Sequence, residues 1–299
     1  MSADNLVGRK VAGYQLAKYI GEGGTATVYC ADSADRGQAA VKILRPRLAS
    51  DPIAVKRFLR EAEYGSRVSH PNIVRTYDYG ESDGLHYMAL EWARGEPLAE
   101  FVSRSGKLAP PLVATIIEQL GAALAVAHRA GIIHRDLKPA NIMYDPASQV
   151  AKLLDFGIAR DSDAAPEERL TRAGFFVGTL QYVAPETLSG ELVSEQADVY
   201  SLATITYYLL TQEHPFTGKN PRELFQQLLT QPPVPLNQAV KGLKFPGAVE
   251  SAVMKGLERD LSKRSKTVDE FARGFCTSVQ MDLPTKKPGF LSSFFKKGG

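Results

Sequence analysis

The chain has 299 residues, 44% hydrophobic and 23% charged, which excludes a mostly disordered, collagenous or low-complexity protein and suits one enzyme domain or two small ones. The 36 Lys and Arg against 33 Asp and Glu leave +3. All of that excess sits in 282–299, where Lys286, Lys287, Lys296 and Lys297 oppose Asp282, so residues 1–281 are neutral and lack the dense basic face of a nucleic-acid binder.

The first ninety residues alternate or are β-branched over Gln15–Ile20, Thr27–Ala31, Ala39–Leu44, Ile73–Tyr79 and His86–Glu91, and predict an antiparallel sheet. One helix interrupts them: Ser50-Asp51-Pro52 is a capping sequence, after which Phe58, Glu61, Ala62 and Gly65 share a face. A glutamate on that face calls for a partner. Beyond Gly95, helices are predicted over Pro110–Ala130, Ser194–Leu210, Arg222–Leu229, Ala248–Glu258 and Val268–Ser278, and Ser194–Leu210 is apolar on nearly every side, as in a buried helix. Ile142–Tyr144 and Val150–Leu154 read as a short hairpin between the first two. A β-rich part followed by a helical part, divided near Glu91–Gly95, is α+β.

Gly21-Glu22-Gly23-Gly24-Thr25-Ala26 is a glycine-rich turn, where missing side chains let backbone amides approach phosphate oxygens. It also meets a relaxed dinucleotide fingerprint, but that fold needs a helix next. Here a strand follows the turn and a second strand comes after it, the geometry of a hairpin flap. This disfavours a nicotinamide-dependent oxidoreductase. Lys42 lies mid-strand on the side of Ala40 and Leu44, where a lysine needs an anion, and Glu61 is the candidate partner.

Ile133-His134-Arg135-Asp136-Leu137-Lys138-Pro139-Ala140-Asn141 is followed fourteen residues later by Asp155-Phe156-Gly157. With Ala184-Pro185-Glu186, Asp198 at the head of the buried helix and Arg264 in a late loop, the chain resembles the protein kinase family from about Gly13 to Val279. The resemblance implies a bilobal kinase domain over 8–281, with N-lobe 8–91, hinge 91–95 and C-lobe 96–281, and a basic tail at 282–299. It implies that Asp136 receives or orients the proton of the attacking hydroxyl and that Asn141 and Asp155 ligate Mg2+, with Mn2+ also admissible. Lys42, held by Glu61, grips the α- and β-phosphates of ATP, and Lys138 neutralises charge at the γ-phosphate. The amides of Gly21 to Ala26 cover the phosphates. Adenine lies between Val28 and Ala40 above and Met143 below, against the backbone of Glu91 to Ala93, with Leu90 at the back.

Lys138-Pro139 and Gly178-Thr179 resemble the serine/threonine branch, in which Thr179 links Asp136 and Lys138, and within it the stretches GEGGTATVYCADS, FLREAEYGSRVSHPNIV and YMALEWARGEPL resemble the compact bacterial members. Protein substrates with Ser or Thr acceptors follow, as do phosphopeptide-binding partners and a cognate phosphatase. A pseudokinase scaffold is the alternative, opposed by the joint presence of Lys42, Asp136, Asn141 and Asp155. Arg135 and Arg160 suggest a dock for a phosphate on the loop between them and Glu186, placed by autophosphorylation on Thr171 or, second, Ser162.

Ala26 replaces the family's third flap glycine and stiffens the flap. Gly65 stands where a larger residue is usual, and predicts a packing gap and a mobile helix. Ala203 replaces a common glycine in the buried helix. Cys30 and Cys276 set no disulfide framework and read as packed apolar residues. No signal-like run opens the chain, and the apolar stretches Leu112–Ala127 and Ser201–Leu210 read as too short or interrupted to span a bilayer. A soluble cytoplasmic protein is expected, its tail a solvated linker or a weak contact with an anionic membrane surface through Phe290, Leu291, Phe294 and Phe295 between the lysine pairs.

Overall fold

The computed structural model describes residues 6–155, 180–189 and 193–282. Phe156, Gly157, Arg160, Ser162, Thr171, Gly178, Thr179 and the tail from residue 283 lie outside them, so the Arg160 half of the phosphate dock, the phosphorylation candidates, the Thr179 link and the membrane contact fall there.

Six antiparallel strands form the first sheet: β1 (Lys10–Val11), β2 (Tyr14–Glu22), β3 (Ala26–Ser33), β4 (Gly37–Leu44), β5 (Thr76–Ser82) and β6 (Leu85–Glu91), in the order β1-β2-β3-β4-β6-β5. Strand alternation explains its two faces. Ala39, Val41 and Ile43 of β4 bury themselves with Val11, Leu16, Tyr29, Tyr87 and Ala89 on the outer face. Ala40 and Lys42 take the opposite side. Helix α1 (Pro46–Ala49) and helix α2 (Pro52–Ser66) follow β4, and the Asp51 carboxylate accepts from the Ile53 amide at 2.9 Å to cap α2. The buried face of α2, Phe58, Ala62 and Gly65, is the one read from the sequence.

The strand expected from Ile73 begins only at Thr76. Ile73 and Val74 are diverted: Ile73 forms a parallel bridge with Leu153, and the Val74 amide donates to the Leu153 carbonyl at 2.9 Å. This stitches the first sheet to a second, of β7 (Glu96–Pro97), β8 (Ile142–Asp145) and β9 (Val150–Leu153). Gly95 precedes β7 at φ +92°, and a Cβ there would lie 2.1 Å from the Tyr144 carbonyl oxygen, so only glycine fits this crossing.

The helical part comprises α3 (Leu98–Ser105), α4 (Pro110–Arg129), α5 (Pro185–Ser189), α6 (Gln196–Thr211), α7 (Pro221–Thr230), α8 (Gly247–Gly256) and α9 (Val268–Asp282). Helix α3 escaped the sequence reading although Leu98, Phe101 and Val102 fall at helical spacing and are buried. Helix α4 has 20 residues and, by length and composition alone, could cross a membrane, contrary to the sequence reading. Its Val113, Ile116, Ile117, Leu120 and Leu124 are wholly buried and form the centre of the larger core. Helix α6 is buried on nearly all sides, as expected.

Ala203 in α6 finds its complement in α8. A Cβ on Gly256 would meet the Ala203 methyl at 2.5 Å and the Phe271 ring at 2.6 Å, so the alanine methyl is accommodated by a glycine on the partner helix. Gly256→Ala is therefore expected to lower stability by about 1–3 kcal/mol through overpacking. Urea unfolding of the two proteins measures it, and an unchanged midpoint would show that the helices separate freely.

Candidate active site

Lys42, at the centre of β4, faces Glu61 of α2 at 3.7 Å and makes a closer ion pair with Asp155, just beyond β9. The partner anticipated for Glu61 is thus present, and a second carboxylate shares the ammonium. Burial opposes the charge on Lys42, but Asp155 and Glu61 outweigh it and hold its pKa above the ordinary value. One cation cannot offset two carboxylates equally. Burial, reinforced by repulsion from Asp155 and opposed by Lys42, raises Glu61 to about 7. Burial also acts to raise Asp155, yet the charge of Lys42 and its hydrogen bond hold that carboxyl below its ordinary range.

Asp136 stands opposite, in the loop between α4 and β8. Lys138 Nζ and Asn141 Nδ2 each donate to its Oδ2 at 3.0 Å, and Asn141 Nδ2 also donates to its backbone carbonyl at 2.8 Å. The Asn141 amide hydrogens are thereby committed to Asp136, which turns Oδ1 away from it. The Leu154 amide donates to the Asn141 carbonyl at 2.9 Å, bringing Asp155 beside Asn141. These two are the oxygen donors the sequence reading set aside for a metal, and among the described residues no cluster of three or more His, Cys, Asp or Glu competes with them. A two-ligand site suits a small hard cation that keeps water and phosphate oxygens in its shell.

What orients this loop is Asp198, to which the sequence reading assigned no role. Wholly buried at the start of α6, its carboxylate accepts from the amides of His134 at 2.8 Å and Arg135 at 3.0 Å and lies 2.8 Å from His128 Nε2. Burial alone would raise its carboxyl pKa, but these hydrogen bonds and the nearby imidazoles keep it low. The clamp holds Arg135 at φ +63°, in the left-handed region, a strained conformation that fixes the direction of the following Asp136. In the sequence it is a carboxylate at the head of a helix apolar on nearly every side, one of the residues that carry the family resemblance.

The glycine turn fits a ligand. Gly21, Gly23 and Gly24 have no left-handed φ, and a Cβ on Gly21 or Gly24 would touch nothing within 4 Å. Neither backbone strain nor packing accounts for these glycines, and the missing side chains leave the backbone of the turn open to approach by a ligand. Ala26, by contrast, is buried with Phe58 and Leu44, and its methyl anchors the base of the turn. Val28 pairs with Lys42 and Cys30 with Ala40 across β3 and β4, placing Val28 and Ala40 half-buried on the cleft side. Met143 is half-buried while its neighbours Ile142 and Tyr144 point inward. Leu90 is buried at the back. At the hinge the Glu91 amide donates to the Arg75 carbonyl at 2.8 Å, and its carboxylate pairs with Lys152 of β9. Trp92 and Ala93 follow, half-buried.

The gap expected at Gly65 is only partly there. A Cβ on Gly65 would lie 2.7 Å from Thr76 Oγ1, so β5 has closed against the helix, and the remaining space, beside Glu61, Met88, Leu90 and Asp155, is a pocket of only about 20 Å³. Far from the cleft, Arg264 pairs with Glu186 at 2.6 Å. Cys30 and Cys276 are buried free thiols.

The family model described as protein kinase domain matches residues 14–289. Serine/threonine-protein kinase PrkC of Bacillus subtilis is 34% identical over 94% of this chain and 43% of its own length. PknB of Mycobacterium tuberculosis is 36% identical over 93% and 45%, and pkn3 of Myxococcus xanthus 36% over 90% and 50%. The chain spans half or less of these relatives. Among solved structures, the kinase domain of Mycobacterium tuberculosis PknI has a TM-score of 0.70 at 27% identity, covering 91% of this chain and 98% of that one. Rad53 1-466 in complex with AMP-PNP gives 0.72 at 28%, covering 88% and 65%.

Proposed function

The chain belongs to the protein kinase family, and from that premise we propose that it transfers the γ-phosphoryl group of ATP to serine or threonine hydroxyls of proteins. The observation that carries this reading is the meeting of Lys42, Glu61 and Asp155 at one side of the cleft with Asp136, Lys138 and Asn141 at the other. Phosphoryl transfer needs positioning and charge neutralisation, and these six side chains supply both. Adenine binds between Val28, Ala40 and Met143 against the backbone from Glu91 to Ala93. Lys42 grips the α- and β-phosphates, and the flap from Gly21 to Ala26 covers them. Asn141 and Asp155 would hold Mg2+, with Mn2+ as substitute, whose charge offsets that of the phosphates. Asp136 orients the acceptor hydroxyl and takes its proton as the new O–P bond forms and the bond to ADP breaks. Lys138 neutralises charge on the group in flight.

The test is incorporation of label from radioactive ATP with Mg2+ into a generic protein substrate, by the wild type, Asp136→Asn and Lys42→Met. Label with the wild type alone supports the reading. Equal label in all three would mean contaminating activity and return the scaffold alternative.

The pKa of Glu61 gives this activity a pH signature. Its folded value near 7 lies above the ordinary 4.5, so the folded protein holds that proton more tightly and the stability this confers is lost as pH rises through 7. The ionised carboxylate that steadies Lys42 appears over the same interval. Activity is expected to rise between about pH 6 and about pH 8, and Glu61→Gln to be weak throughout without that rise. A pH profile with the same rise in both proteins would assign it to another group.

A further inference from the structure

Two arginines outside the cleft's own inventory reach the glycine turn. Arg45 Nη1 donates to the Gly23 carbonyl and Arg47 Nη2 to the Gly24 carbonyl, each at 3.3 Å. Arg45 is itself fixed: its amide donates to the Thr25 carbonyl at 2.9 Å and its guanidinium pairs with Glu22. Both arginines sit at the start of α1, whose Leu48 packs in one apolar cluster with Ala26 at the base of the flap and Phe58 of α2.

The Gly23–Gly24 peptide flips at little cost, because neither residue has a Cβ to favour one orientation, and the Gly24–Thr25 peptide is unrestrained on its glycine side. In a trans peptide the N–H of the next residue points opposite to the carbonyl. Holding the carbonyls of Gly23 and Gly24 therefore sets the directions of the Gly24 and Thr25 amides, two of the donors available to phosphate. We infer that Arg45 and Arg47 are positioning residues for nucleotide phosphates: they preorganise the glycine flap and tie it, through α1, to the helix that carries Glu61. Removing them frees the flap to sample unproductive orientations, a cost that falls on binding of phosphate and spares binding of the base.

The inference rests on the nucleotide-binding reading, and its test separates the two. Trp92, the single tryptophan of the chain, lies in the hinge and reports binding by fluorescence. Titration of the full chain with adenosine and with Mg2+–ADP is expected to give equal adenosine affinity in the wild type and Arg45→Ala/Arg47→Ala, with ADP affinity about fivefold to tenfold weaker in the variant. Lysine at both positions should recover part of the loss. In turnover the KM for ATP should rise more than kcat falls. Equal ADP affinity in the two proteins, or an equal loss for adenosine and ADP, overturns the inference while leaving the kinase reading in place. No response of the wild type to either ligand overturns both. If the double variant does not fold, Arg47→Ala, whose side chain is exposed, carries the same comparison.

Discussion

Asparagine in place of Asp136 is expected to slow phosphoryl transfer by about 10²- to 10⁴-fold, the contribution usual for a positioned acid–base group, with little change in nucleotide affinity. The substitution conserves shape. Asp136 Oδ2 accepts from Lys138 and Asn141 at 3.0 Å, and an asparagine carbonyl oxygen can take its place in both hydrogen bonds. The Asp198 clamp on the preceding amides is untouched. What is lost is a carboxylate able to receive the hydroxyl proton. Lys42→Met acts on the other substrate, because it removes the cation shared by Glu61 and Asp155 and leaves two carboxylates facing each other. Its defect should extend to ATP affinity as well as rate. Single-turnover rates and Trp92 titrations separate the two cases. An Asp136→Asn enzyme as fast as the wild type would remove this residue from the chemistry.

Most of the fold and the centre of the site could be read from short stretches of chain. Strand alternation around Lys42 and the helical face of Glu61 implied that the two should meet, and they do. What could not be read was whatever depends on contacts between distant elements. Ile73 and Val74 carry the composition of a strand but serve the edge of β9, a choice visible only once the second sheet exists. The Asp155 contact with Lys42 joins residues more than a hundred positions apart. Ala203 seemed a minor departure, and its compensation lies at Gly256 in a helix with no local signal of the pairing. At Gly65 the sequence suggests a gap, and only the packing of Thr76 against it shows the glycine to be a close approach as well. The guanidiniums on the flap belong to the same class: Arg45 and Arg47 look like surface charges until their hydrogen bonds are traced.

Loss of Arg264 is expected to produce the largest fall in stability, about 3–5 kcal/mol, because it would leave Glu186 buried without its countercharge. The guanidinium meets both carboxylate oxygens, at 2.6 and 3.1 Å, donates to the carbonyls of Gln196 and Glu258 at 2.8 and 2.7 Å, and lies 5.2 Å from the Tyr200 ring centre. One buried side chain thus ties α5, the start of α6 and the end of α8. The consequence reaches the catalytic loop, since α6 bears Asp198 and, one turn on, Ser201, whose hydroxyl donates to the Tyr182 carbonyl at 2.7 Å. Slackening the head of α6 loosens both attachments. Arg264→Met should therefore reduce transfer as well as lower the urea midpoint, whereas Glu186→Leu combined with Arg264→Met should be less destabilised than the sum of the single variants, by about 1–3 kcal/mol. Additive effects of the two substitutions would mean that the pair is not an anchor, and that α6 is held in place by its apolar packing alone.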